Sequence, residues 1–193
     1  MSKRVLEILK SKFGDDIYET HSQFGDDTAV VNPQKWREIA RFLRDDSQCA
    51  MNMFVDLTAV DYLGRQTTRF EVVLHLRSME RNQRIRLKAR VGDEDANGAE
   101  IDSLVPVWKG ANWFERECFD MFGVVFKGHP DLRRILMYPE FVGYPLRKDY
   151  PADKTQPLVE LRDVPDKLPP FGIDEGMPFG RQTHDYPRGE ETN

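Results

Sequence analysis

Asn112-Trp-Phe-Glu-Arg-Glu-Cys-Phe-Asp-Met-Phe-Gly123 and the run that follows it, VVFKGHPDLRRILMYPEFVGYPLRKDYP (124–151), decide how this chain is read. Asn112 with Glu115 three positions on has the form of a helix N-cap whose glutamate reaches back to the cap amide. The helix is expected to run to about Phe122. Gly123 follows where helices often end in a left-handed residue. One short helix thus carries Glu115, Arg116, Glu117 and Asp120, and Arg133, Arg134, Arg147, Lys148 and Asp149 come after it. Charges this dense among Phe, Trp and Tyr point to paired charges more than to a solvated face.

Three blocks here closely resemble the signature of the C subunit of respiratory complex I, the proton-translocating NADH:quinone oxidoreductase. They are Glu115-Arg-Glu-Cys-Phe-Asp120-Met-Phe-Gly123, Gly128-His-Pro-Asp-Leu-Arg-Arg134-Ile-Leu and Pro145-Leu-Arg-Lys-Asp-Tyr-Pro151. The motif spans about forty residues in order, and weaker likeness extends over roughly residues 1–151. Many family members read Gly-His-Pro-Leu-Arg-Lys-Asp; here Tyr144 stands in place of that His. The resemblance implies an α+β subunit of the hydrophilic arm, in a hetero-oligomer at the cytoplasmic face of the bacterial inner membrane. It implies docking against complex I subunits D, B and I, of which the first helps form the quinone site and the other two carry iron–sulfur clusters. It implies FMN and iron–sulfur clusters in partner subunits and no redox centre in this chain, which supports electron transfer without carrying electrons. The signature and docking residues it marks are Glu115, Arg116, Glu117, Asp120, Gly123, His129, Pro130, Arg133, Arg134, Pro145, Arg147, Asp149, Tyr150 and Pro151. The equivalent subunit of a membrane-bound hydrogenase is an alternative that the motif separates poorly.

Bulk properties agree. The chain has 193 residues, enough for one domain with a core. A net charge of -5 argues against a basic nucleic-acid binder. An aromatic share of 11% argues against wholesale disorder. No apolar run approaches a membrane span, and MSKRVLEILKSKFG is too charged for a secretory signal. Cys49 and Cys118 cannot supply a four-cysteine cluster. No Gly-x-Gly-x-x-Gly follows a strand and no Gly-Lys-Ser/Thr loop is present, so there is no nucleotide or flavin signature.

Taken in order, Val5 to Phe13 spaces its apolar residues as a helix. Residues 15–27 read as loop or edge strand, and Thr28 to Val31 as a strand. Asn32-Pro33 opens a second helix with Trp36, Ile39, Ala40 and Leu43 inward. Met53 to Val60 reads as a buried strand. Phe70 to Leu76 and Arg84 to Val91 alternate and form an antiparallel hairpin with one wet face, which carries Glu71, His75, Arg84, Arg86, Lys88 and Arg90. Glu100 to Lys109 looks helical. The sum is an α+β domain over 1–151, with a mainly antiparallel sheet packed with helices. Seven of the twelve prolines lie between Pro151 and Pro187. Residues 152–193 therefore read as an extended Pro-rich arm that lies along a partner.

Two rivals rest on other chemistry. Glu115, Glu117, Asp120 and His129 offer ligands for a metal-dependent hydrolase, yet helical geometry points Glu115 and Glu117 in different directions. Glu115 falls on the apolar stripe, so its carboxylate needs a cap or a partner, for which Arg133 or Arg134 is the candidate. The Arg84 to Arg90 row could meet RNA, but a half-buried sheet produces such rows anyway and no aromatics interleave it. The preferred reading is a charge lock that fixes residues 123–151 on the helix and presents a docking surface.

Overall fold

A computed structural model describes residues 3–93 and 95–159. Helix α1 (Lys3–Phe13) leads through a short 3-10 turn to β1 (Ile17–Gln23) and β2 (Asp26–Val31). Asn32 then caps a 3-10 turn by accepting from Gln34 N at 3.0 Å, with Pro33 at its first position, and α2 (Trp36–Asp45) follows. Strands β3 (Met53–Asp61), β4 (Phe70–Ser78) and β5 (Gln83–Val91) come next, then β6 (Glu100–Asp102), α3 (Ala111–Phe122) and β7 (Val125–Lys127).

The main sheet has the order β1-β2-β5-β4-β3. Every pairing is antiparallel except β2 with β5, which is parallel. Among the described residues, the helices pack on one side of this sheet. Val5 and Leu9 of α1, Trp36, Ile39 and Leu43 of α2, and Cys118 and Phe122 of α3 share one core with Val31, Leu57, Val72, Leu74, Leu87 and Ala89. The other side carries Val30 and Val73, which lie outside that core yet are nearly inaccessible. They are roofed by the β5 side chains, which are ion-paired: Arg84 and Arg86 to Asp26, Lys88 to Glu71, Arg90 to Glu19. The basic row is thus a salt-bridged cover for a half-buried sheet, and Glu71, expected to be wet, is buried beneath it.

Three expectations are corrected. Strand β3 is an edge strand, not a buried one, and Met53, Val55 and Val60 are exposed on it. The segment from Glu100 is not a helix: Glu100–Asp102 pairs in parallel with β7, and a single turn closes at Leu104–Trp108. Pro106 has no N–H to continue a helix, and Ser103 N is already taken by Lys127 O at 2.9 Å. Asn112 is not the cap of α3, which begins at Ala111 with Gly110 as cap. Most of the expected C-terminal arm, residues 160–193, lies outside the described residues. Ala152 to Val159 has no helix or strand.

Candidate docking site

Helix α3 carries the site because both of its sides are committed. Its inner side places Glu115, Cys118 and Phe122 in the core. Its other side holds the 124–151 loop, which has only the three-residue strand β7 of its own and so borrows its hydrogen bonds from the helix. Asp120 is fully buried and accepts from Arg134 Nη1 at 2.6 Å and from the backbone N–H groups of Ile135, Leu136 and Met137 at 2.8–3.0 Å. Burial opposes its charge, but these donors outweigh it and hold the carboxyl below its ordinary range. Arg134 also donates to Gly143 O, and Arg116 donates back to the carbonyls of Arg133 and Arg134.

The end of the helix is fastened a second time. Gly123 takes φ +77°, the left-handed stop expected from sequence. A side chain there would collide with Tyr144, whose Cε2 lies 2.6 Å from the Cβ position. Arg147 donates to Phe122 O at 2.5 Å and stacks over the Tyr144 ring, 4.3 Å from its centroid. Burial and the nearby Arg69 lower its pKa.

Further on, Arg69 lies between two carboxylates. It donates to Asp61 at 3.0 and 3.1 Å and to Asp149 at 2.7 and 3.1 Å. Asp61 also accepts from Lys148 N at 2.9 Å. Arg69 and Asp61 are both buried, so this triad ties Lys148 and Asp149 of the loop to the ends of β3 and β4. Burial opposes the charge of Asp61, but Arg69 and the Lys148 and Leu63 N–H groups win and lower its pKa; Arg69 lowers that of Asp149. Sequence reasoning missed Asp61 and Arg69. Both flank the loop between two strands, and their spacing there carries no periodic signal.

Other expected residues fall differently. Glu115 pairs with neither Arg133 nor Arg134. Its Oε1 accepts from Leu104 N at 2.5 Å, while Oε2 is buried and accepts no hydrogen bond among the described residues. Burial pushes its pKa up to about 7. The reason is position: Glu115 faces the core and the loop lies on the opposite side. Arg133 is exposed, and among the described residues its ion pair is with Asp131. His129 accepts from Asp131 N through Nδ1, which leaves Nε2 to donate to Asn112 O at 3.3 Å. Glu117, Pro130 and Pro151 are exposed, Pro145 is half-buried, and Tyr150 stacks on Phe141. Glu115, Glu117, Asp120 and His129 therefore do not converge, and no group of three or more His, Cys, Asp or Glu among the described residues is placed to hold a metal. Cys49 and Cys118 are buried, and burial raises both thiols, Cys49 to about 12, which disfavours the thiolate that metal ligation needs.

What the lock displays is apolar. Leu136, Val142 and Leu146 stand more than half exposed along the fastened loop, and Trp113 is 63% exposed on α3 beside Arg116. A rigid backbone holding aromatic and aliphatic side chains in water is the chemistry of a protein interface.

Known proteins point the same way. A model of the family described as respiratory-chain NADH dehydrogenase, 30-kDa subunit, matches residues 29–156. The C subunit of the NADH-quinone oxidoreductase of Geobacter sulfurreducens is 47% identical over 150 residues, covering 78% of this chain and 90% of that protein. The C 2 subunit of the Rhizobium etli enzyme is 41% identical over 184 residues, 94% of this chain and 90% of that protein. Among solved structures, a trypsin-resistant fragment of Nqo5 is similar with TM-score 0.55 at 29% identity, covering 67% of this chain and 98% of the fragment. A chain of an archaeal membrane-bound sulfane sulfur reductase has TM-score 0.65 at 22% identity over 84% of this chain and 98% of its own, a likeness of fold alone.

Proposed function

Because the chain belongs to the 30-kDa subunit family of respiratory-chain NADH dehydrogenase, the family of the C subunits of NADH-quinone oxidoreductase, we propose that it is a non-redox scaffold subunit of that enzyme's peripheral arm. Its partners are subunits D, B and I, the first at the quinone site and the other two carrying iron–sulfur clusters. FMN and the clusters reside in partner subunits, and the assembly transfers electrons from NADH to quinone with proton translocation. The chain sits peripherally at the cytoplasmic face of the inner membrane. In keeping with that, no helix among the described residues is long and apolar enough to cross a membrane.

The observation that carries this reading is the lock itself. Asp120 and Arg134 of the charge-dense stretch, and Asp149 with Asp61 and Arg69 from the β3–β4 ends, are spent on one another and on backbone groups. That arrangement fixes geometry and leaves none of these acids free for chemistry. It serves a chain whose product is a surface.

The test has two parts. The purified full chain is expected to bind neither iron nor flavin; a stoichiometric visible absorption band that copurifies contradicts the non-redox role. In a strain whose only copy is Asp120→Ala, membranes are expected to lose NADH-dependent quinone reduction together with the intact complex. Intact complex with lost activity would instead make the chain a participant in the chemistry.

A further inference from the structure

The hairpin joining β1 and β2 carries a residue that the chain itself has no use for. Gln23 pairs with Asp26, so the loop is two residues long, Phe24-Gly25. Both have positive φ, 55° for Phe24 and 81° for Gly25. That is the requirement of a type I′ turn, whose first central position favours Asn, Asp or Gly. A bulky aromatic there is disfavoured by the backbone. Phe24 is also completely exposed, at 101%, and its ring contacts no other ring or cation among the described residues. Two separate penalties, a left-handed backbone and a bare apolar ring, fall on one side chain and nothing in the described fold offsets either.

We propose that Phe24 is an anchor that inserts into an apolar pocket on a partner subunit of the assembly. The proposal rests on the scaffold reading above and names one contact of it, on a side of the molecule that the signature does not include. The hairpin holds the ring at the end of two paired strands, so little side-chain or loop entropy is lost on binding. One aromatic ring filling a pocket contributes about 10- to 100-fold in affinity, the behaviour of an interface hot spot. A bilayer is a poor alternative occupant. A lone ring gives only marginal membrane attachment, and stable anchoring takes a second signal. The hairpin supplies none, since residues 14–27 contain five carboxylates and no Lys or Arg.

The substitution Phe24→Asn separates the two roles, because Asn-Gly is the favoured type I′ pair. In the full chain, Phe24→Asn is expected to leave the melting temperature unchanged or raise it by about 2–4 °C. Introduced as the only copy in the parent organism, the same tagged variant is expected to recover about tenfold less of the complex in mild detergent. Phe24→Leu is expected to retain most of the recovery. Wild-type recovery by Phe24→Asn overturns the anchor. So does a Phe24→Asn chain that melts well below wild type, since the ring would then support the fold. A wild-type chain that is a dimer alone and a monomer as Phe24→Asn reassigns the ring to a second copy. Phe24-dependent flotation with phosphatidylethanolamine–phosphatidylglycerol vesicles reassigns it to lipid, and either result overturns the partner pocket. If the wild-type chain recovers no NADH-quinone oxidoreductase subunits, the scaffold reading fails and the anchor with it.

Discussion

The Asp120 carboxylate receives the Arg134 guanidinium at 2.6 Å while it caps three consecutive backbone N–H groups of the chain that follows Arg134. One buried side chain on α3 therefore holds both a charge and a stretch of main chain of the loop. The two arginines of the Arg133-Arg134 pair are adjacent in sequence and unequal in role, since among the described residues Arg133 pairs with the exposed Asp131 alone.

Asp120→Ala removes the acceptor of three N–H groups and strands Arg134, so it is expected to destabilise the chain by about 3–5 kcal/mol. Arg133→Ala is expected to change stability by less than about 1 kcal/mol. Urea unfolding of the two variants checks this; equal effects would mean that the lock does not run through Asp120.

Glu115 produces a pH dependence of unusual sign for a carboxylate. Its folded pKa is raised from 4.5 to about 7. The stability it contributes is fully present below about pH 4.5 and is lost as pH rises through about 7, on the order of 3 kcal/mol in all. Asp61, Asp120 and Asp149 are shifted down. Their contribution is present above the ordinary aspartate pKa and is lost as pH falls through the folded values. His75 is lowered by burial and Arg86, so its contribution is fully present above its ordinary value and is lost as pH falls through the lowered one. The difference between wild type and Glu115→Gln isolates Glu115. Unfolding free energies from pH 4 to 8 are expected to converge at low pH and to show the variant gaining relative to wild type above pH 5. A constant difference across the range would contradict the shift.

Much of this is legible in the sequence, and the reasons for the rest are specific. Alternation in β5, its antiparallel pairing with β4 and the Gly123 stop are written in local spacing, which predicts them correctly. Asn32 and Pro33 cap a 3-10 turn and α2 begins only at Trp36, while on β4 the alternation fails because Glu71 is buried under the β5 cations. The partner of Glu115 is not, because helical periodicity places a side chain on a face without saying which distant backbone meets it. Leu104 N reaches Glu115 only because β6 pairs with β7, two three-residue strands too short to leave a pattern. The same holds for Arg69, whose partners Asp61 and Asp149 lie 8 and 80 positions away. The density of charge is visible in the sequence, and the pairing is hidden in it.

Gly123→Ala is expected to destabilise more than Gly64→Ala, although both glycines have positive φ. At Gly64 no atom of the described residues lies within 4 Å of a Cβ, so the backbone penalty of about 1–2 kcal/mol acts alone. At Gly123 the same penalty is joined by a collision with Tyr144 and Arg147. Thermal unfolding of both variants decides; equal shifts would mean that the Arg147-Tyr144 stack yields freely.

Arg69→Met leaves Asp61 buried without its cation and is expected to cost about 3–5 kcal/mol or to release the 147–151 turn. Hydrogen exchange reads the second outcome directly at the Lys148 amide, which donates to Asp61. Unchanged protection there with unchanged stability would show the triad to be idle.

The central claim, that this chain is a locked scaffold of an NADH:quinone oxidoreductase, is tested most directly by recovering the tagged full chain from its own membranes in mild detergent and identifying what accompanies it by mass spectrometry. The quinone-site subunit, the iron–sulfur subunits and membrane subunits are expected to accompany it, together with NADH-dependent quinone reduction in the recovered material. Recovery of hydrogenase subunits in their place, or of the chain alone, would contradict it.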